Sequence, residues 1–396
     1  MSKTTIAEIS TNIGSGITPY RKNESYWSSA DVPWLKTEQV GEFEIYNTNE
    51  YISNLAVTEN GMKLWKPKTI TLAMYGEGKT RGRVSLLMRE MTTNQACCNI
   101  EVDEKKATYL YVYYWLVNSY VRLRAISSGI RNNLNADLIR EFPINIPSIS
   151  KQTNISNFLY RLDKKIALNN TINAELEKVA KTLYNYWFVQ FDFPNAKGKP
   201  YRTSGGKMEY NEVLKMEIPK GWKAERFIEL ATITTGKEDA NFSTRDGIYN
   251  FFTCGRDILR CDKPAFSGQA VLLAGNGDFN VKHYTGEFNA YQRTYVLIPK
   301  HSAHYAAIYI AASDKVAELK RGAYGSIVKF ITISDVANIA LPVNHECNYL
   351  FEKLTVIINE IELLERENDE LIKLRDFLLP LLMNGQVRVK EKSTKN

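Results

Sequence analysis

The chain has 396 residues, 44% apolar and 24% charged, with a net charge of +7 at pH 7. That balance belongs to a soluble globular protein large enough for more than one core, and it excludes a disordered chain or a disulfide-stapled miniature. The modest positive charge permits an anionic partner such as nucleic acid without demanding one.

The N-terminal MSKTTIAEIS lacks the basic-then-apolar pattern of a signal peptide. No apolar run approaches the roughly 20 residues that span a bilayer, so a cytoplasmic chain is expected. A β-rich globule is predicted over 1–147, where Gly-punctuated apolar runs such as TITLAMY (69–75) read as strands. AMYGEGKT (73–80) fits a loose P-loop pattern. The next segment, RGRVSLL (81–87), carries Gly82 and β-branched Val84 and reads as a returning strand. A hairpin turn bearing Lys79, Arg81 and Arg83 is therefore expected, not a nucleotide site.

Over 148–190 apolar residues recur at steps of four and three, with Leu159, Leu162, Ile166, Asn173, Leu176 and Leu183 on the seam. That is the stripe of a long coiled-coil helix. At 1.5 Å per residue, a helix of about 40 residues runs about 60 Å and needs a partner to bury its stripe. It closes in YNYWFVQFDF (184–193), readable as core packing or as a docking surface. A connector rich in Gly, Pro and Lys occupies 191–221, then a second globule 222–342 with the strand-like AVLLAG (270–275). A second long helix is predicted over 343–390, with seam residues Leu354, Ile357, Ile361, Asn368, Leu371 and Leu378, and a tail over 391–396.

The two halves repeat. Residues 147–194 align without gaps on 342–389 at an offset of 195, with nine identities, sharpest in NAELEK (173–178) against NDELIK (368–373). Asn173 and Asn368 fall at equivalent seam positions, where a polar residue can fix register at a cost in stability. Upstream the likeness is weaker: Gly16 matches Gly236, Gln95 matches Gln292, and SSGI (127–130) resembles AYGSI (323–327). The expected fold class is α+β, two β-rich domains each followed by a long α-helix.

Catalytic and metal motifs are missing. The five cysteines form no CxxC, and the four histidines give no zinc-ligand spacing. No GxSxG elbow and no Pro-Pro dipeptide of an amino-methyltransferase strip occur.

The connector GKPYRTSGGKMEYNEVLKMEIPKGW (198–222), its setting after YNYWFVQFDFP (184–194), the SGITP loop (15–19) and LLPLLMNGQV (378–387) strongly resemble the specificity subunits of type I restriction–modification systems. The resemblance covers the whole chain. It implies two target recognition domains, helices paired as an antiparallel coiled coil with pseudo-twofold symmetry, and a non-catalytic subunit. It further implies double-stranded DNA as a partner, with two modification subunits that bind S-adenosylmethionine and restriction subunits that use ATP and Mg²⁺. Helix length would then set the unread gap between half-sites. A coiled-coil scaffold with two ligand-binding β-domains would share the duplication but leave the connector unexplained. A self-contained methyltransferase or nuclease would have to lack recognisable motifs.

Loops should supply the DNA contacts. In the first domain the candidates are Ser15, Gly16, Thr18, Tyr20, Arg21, Lys79, Arg81, Arg83, Gln95, Arg131, Asn132 and Asn133. In the second they are Thr235, Lys237, Arg256, Asn276, Lys282, Gln292, Arg293, Tyr324 and Ser326. Arg and Lys suit phosphate or guanine; Asn and Gln suit adenine edges. Because the domains differ while the helices agree, an asymmetric bipartite target is expected.

Overall fold

A computed structural model describes residues 2–76, 78–127, 133–325 and 329–389. The chain divides into two compact units: Met1–Ala167 with Asn368–Asn396, and Leu168–Glu367. The division cuts both long helices, so each unit holds one β-rich globule and a portion of each helix.

In unit 1 a five-stranded sheet runs in the order Ser10–Ser15, Cys97–Val102, Ile70–Ala73, Val84–Leu87, Glu44–Ile45. Its neighbours are antiparallel except the last pair, which is parallel. Ile70, Leu72, Cys98 and Ile100 on one face join the main core with the aromatic helix Tyr109–Asn118. The segment after Thr80 returns as the antiparallel strand Val84–Leu87, so no helix N-terminus follows the Gly-Lys-Thr and a phosphate cradle has no donors there. A further three-stranded sheet, Glu50–Ile52, Val32–Leu35 and Thr92–Thr93, belongs to unit 1.

Unit 2 repeats the plan. Its sheet runs Ala231–Thr235, Thr294–Pro299, Phe266–Ala274, Val281–Ala290, Tyr249–Phe252, Leu259–Cys261. Again one pair alone, Tyr249–Phe252 with Val281–Ala290, is parallel. Through the first four strands the order and directions match those of unit 1, and Tyr249–Phe252 pairs parallel as Val32–Leu35 does with Thr92–Thr93, so the duplication is one of topology as well as sequence. Each globule also closes the same way. The strand Ser2–Thr5 pairs antiparallel with Pro143–Ile146, and Lys223–Arg226 pairs antiparallel with Ala340–Val343. Just before each closing strand sits a short helix with a polar N-cap. Asn135 accepts from Leu138 N–H at 2.8 Å, and Thr332 forms a reciprocal capping box with Asp335.

The long helices, Ile149–Tyr184 and Asn348–Met383, have 36 residues each, or about 54 Å at 1.5 Å per residue. In unit 1 Ile155 and Leu159 share a core with Leu379, Leu382 and Met383, and Arg375 donates to Asp163 at 2.6 Å. In unit 2 Ala180 shares a core with Leu350, Leu354, Ile358 and Ile361, Asn169 donates to Glu367 at 2.8 Å, and Asn173 donates to the Ile361 carbonyl at 3.5 Å. Numbers rise along one helix as they fall along the other, so the pairing is antiparallel. None of the seam positions named from the sequence is exposed; Leu159, Leu354 and Ile361 are fully buried, and Asn173 and Asn368 nearly so.

The aromatic end of the first helix is core packing. Trp187, Phe188, Phe191 and Phe193 are buried with Trp222 from beyond the connector, and Phe188 stacks on Phe351 at 4.3 Å. Among the described residues no helix is long and apolar enough to cross a membrane.

Candidate nucleic-acid interface

In both units the predicted loops leave the same end of the main sheet, and equivalent backbone hydrogen bonds hold them. In unit 1 Met74 N–H donates to Ala96 O at 2.8 Å and Leu134 N–H donates to Met74 O at 3.1 Å. In unit 2 Gly275 N–H donates to Arg293 O at 2.8 Å and Ile331 N–H donates to Gly275 O at 3.0 Å. The first loop is pinned likewise, by Ile17 N–H to Thr93 O at 2.9 Å and by Lys237 N–H to Ala290 O at 3.1 Å. Glycine is required at each pin. A Cβ on Gly16 would lie 1.9 Å from Thr93 O, and one on Gly236 would lie 2.2 Å from Ala290 O.

This wiring brings Ser15, Gly16, Thr18, Gln95, Asn133 and Arg83 together in unit 1, with Arg83 tied in by Ala73 N–H to its carbonyl at 3.0 Å. Thr18 donates its hydroxyl to the Gln95 side chain. The turn bearing Lys79, Arg81 and Arg83 is gripped from the helix Tyr120–Ala125: Tyr120 donates to Lys79 O at 2.9 Å and Arg124 to Arg81 O at 3.1 Å. Lys79 and Arg83 are exposed. Arg131, Asn132 and Ser326 lie outside the described residues.

In unit 2 the loops bearing Arg256, Asn276, Arg293 and Tyr324 converge. Cys254 meets Arg293 O at 3.3 Å, and both Asn276 and Tyr324 bridge to Phe330. Arg256 is paired with Asp278 at 2.7 Å, which holds that carboxyl below its usual range. Gln292 donates to Asp239 at 2.9 Å, fastening the loop of Thr235 and Lys237. Gln292, like Gln95, is thus used at least once within the fold. Lys282 is different from a free loop cation. Its ammonium donates to Gly255 O and Asn280 Oδ1 at 2.5 Å and to Thr253 O at 3.3 Å, and burial pushes its pKa down. It organises the turn beneath the exposed residues.

Arg21 has surroundings that the sequence did not disclose. Its guanidinium lies 3.9 Å from the Trp27 ring centre and 4.7 Å from that of Trp34, close enough for cation–π attraction. It also donates to the Glu50 carboxylate, which pairs on its other side with Lys36. The Arg21 hydrogen bond, followed by that of Lys36, holds the Glu50 carboxyl below its usual range. Trp34 Nε1–H donates to Ile17 O at 2.9 Å and Trp27 Nε1–H to Tyr20 O at 3.4 Å, strapping the 16–22 loop to this cluster.

The described residues contain no group of acidic, histidine or cysteine side chains placed to hold a metal. Residues 3–178 match the model of the Type I restriction modification DNA specificity domain. The EcoDI specificity subunit of Escherichia coli is 36% identical over 46% of this chain and 42% of its own length. The MjaIX specificity subunit of Methanocaldococcus jannaschii is 25% identical over 96% of this chain and 92% of its own. The chain is similar to the specificity subunits of type I restriction–modification systems, through a matched specificity domain that covers residues 3–178. The relatives are named as specificity subunits, which supports the non-catalytic reading over a self-contained methyltransferase or nuclease. The fold agrees. The specificity subunit of Mycoplasma genitalium superposes with a TM-score of 0.63 at 15% identity, covering 96% of this chain and 95% of that one. The match to EcoDI spans less than half of that relative's length, so it identifies a shared domain and not a shared target.

Proposed function

We propose that this chain is a type I specificity subunit that reads an asymmetric, bipartite sequence in double-stranded DNA, one half-site per β-rich domain, and scaffolds the other subunits of the complex. One observation carries this reading: identical backbone wiring displays two different sets of side chains. Met74–Ala96–Leu134 and Gly275–Arg293–Ile331 hold equivalent loops. Unit 1 offers Arg21, Lys79, Arg83 and Gln95 there, while unit 2 offers Lys237, Arg256, Gln292 and Arg293. Equivalent frames with different polar tips suit two readers of different half-sites, because base edges are told apart by the donors and acceptors that meet them.

The helices support the scaffolding role. Leu168 and Leu363 stand at equivalent repeat positions, each 54% exposed, and Val179 and Leu374 form a second such pair at 47% and 43%. Apolar residues exposed twice at the same repeat position suit two copies of one partner. Those partners are two modification subunits that use S-adenosylmethionine, joined by restriction subunits that use ATP and Mg²⁺; this chain needs no cofactor itself. The complex works in the cytoplasm against incoming phage DNA.

Co-purification of the chain with its native partners, combined with genome-wide mapping of adenine methylation, tests both roles. The expected result is one bipartite motif with unlike halves. Methylation without a motif, or a motif that survives deletion of this chain, overturns the reading.

A further inference from the structure

The Arg21 cluster suggests a more specific role than contact with the DNA backbone. Resting on the reading of this chain as a specificity subunit, we propose that Arg21 reads a guanine in the half-site of the first domain, with Glu50, Trp27 and Trp34 as its positioning residues.

The geometry favours a base over a phosphate. Arg21 is 49% exposed at the side chain, on the loop that Gly16 pins to the sheet. One part of its guanidinium is engaged by Glu50, and its central carbon sits over the rings of Trp27 and Trp34. The other guanidinium nitrogens have no hydrogen-bond partner among the described residues. A guanidinium fixed in this way presents a flat set of donors in one orientation and loses little side-chain freedom on binding. In the major groove guanine shows two acceptors, N7 and O6, which suit such a fork. Adenine shows an acceptor and a donor, and its amino group would face an Arg N–H.

Charge points the same way. Glu24 lines the same open cleft as Arg21, Trp27 and Glu50, and Glu50 is shared between Arg21 and Lys36. Glu50 against the guanidinium, with Glu24 on the wall of the same cleft, offsets part of the field that would attract a phosphate. Lys79 and Arg83, exposed and with no carboxylate partner among the described residues, keep that field and suit the backbone. The supporting strands Val32–Leu35 and Glu50–Ile52 have counterparts in Tyr249–Phe252 and Leu259–Cys261 of unit 2, but Phe251 and Leu259 stand there where Trp34 and Glu50 pair, so the device belongs to one half-site.

The test uses the complete complex and a library of target DNAs randomised in both half-sites, read by methylation sequencing. Arg21→Lys keeps the charge and removes the fork. It should relax the preference for guanine at one position of one half-site by about tenfold to a hundredfold, with the other half-site unchanged as an internal control for folding. Glu50→Gln and Trp27→Leu should relax the same position by less. If Arg21→Lys weakens all sequences equally, or shifts preference at no position, Arg21 is not a guanine reader. If the unaltered complex shows no sequence preference at all, the reading of the chain as a specificity subunit falls, and this assignment falls with it.

Discussion

Arg375 of the second long helix donates to Asp163 of the first at 2.6 Å, and Tyr114 donates to the other oxygen of the same carboxylate, also at 2.6 Å. One buried anion thus joins both helices to the first globule. By the repeat offset, Arg375 corresponds to Ala180 and Asp163 to Ile358, both buried in the core of unit 2. An ion pair in one unit is replaced by a dry contact in the other. Removing one partner strands a charge, whereas removing both can be nearly neutral. Arg375→Ala should therefore destabilise unit 1 by about 3 kcal/mol. The double variant Asp163→Ile with Arg375→Ala should recover most of that loss. Urea denaturation of the full chain checks this, and equal losses in the single and double variants would contradict it.

The glycine pins should behave alike in the two units. Gly16→Ala and Gly236→Ala each drive a methyl into a backbone carbonyl, at 1.9 Å and 2.2 Å respectively. Backbone cannot swing aside as a side chain can, so each change should cost about 3 kcal/mol or more. Each should also disturb recognition of one half-site and spare the other. Thermal melts together with methylation mapping would show both effects; wild-type melting for either variant would refute the steric account.

Cys97 and Cys98 are fully buried, and burial pushes each thiol up to about 12. Neither should react with a thiol reagent in the folded chain at pH 8, whereas the partly exposed Cys254 and Cys347 are open to attack. Burial stabilises the neutral form, so the folded values lie above the unfolded ones. That contribution to stability is fully present below pH 9 and is lost as the pH rises toward 12. Counting reactive thiols before and after denaturation tests the first statement, and alkaline unfolding of a Cys97→Ala, Cys98→Ala variant tests the second.

His304 titrates in the opposite direction. It is 3% exposed, with the His301 and His345 rings 5.6 Å and 6.1 Å away and Phe351 against it. Burial lowers its pKa; the Asn348 side chain and Glu225 oppose that, and the two neighbouring imidazoles add to it. The unfolded chain therefore takes up the proton first. Stability from the neutral ring is present above pH 6.5 and lost as the pH falls through the lower folded value. A His304→Gln variant should lose less stability than the native chain between pH 7 and pH 5, measured by denaturant midpoint. Parallel pH profiles would refute the assignment.

The helices and the repeat were legible because a heptad seam and a constant offset are local, countable signals. Leu159, Ile361 and Asn173 could be placed on the seam from spacing alone. Spacing does not reveal the role of Arg375, since its partner Asp163 lies 212 residues away and no spacing rule links them. Lys282 looked like a free loop cation; its acceptors come from 253–255 and 280, segments that meet only in the folded sheet. The Trp27–Trp34–Glu50 support of Arg21 was hidden for a related reason. Unit 2 carries Phe251 and Leu259 at the positions of Trp34 and Glu50, so comparing the halves could not reveal it.

The bonds common to both units that frame the equivalent loops run from backbone to backbone. Such bonds are indifferent to side-chain identity wherever glycine is not needed. A substitution at Arg293 or Gln95 can change what a loop presents while the carbonyls and amides that hold it stay paired. On the proposed reading, target preference and the shared frame are carried by separate atoms of the same residues. A protein built this way can be rewritten at its tips many times before its stability notices.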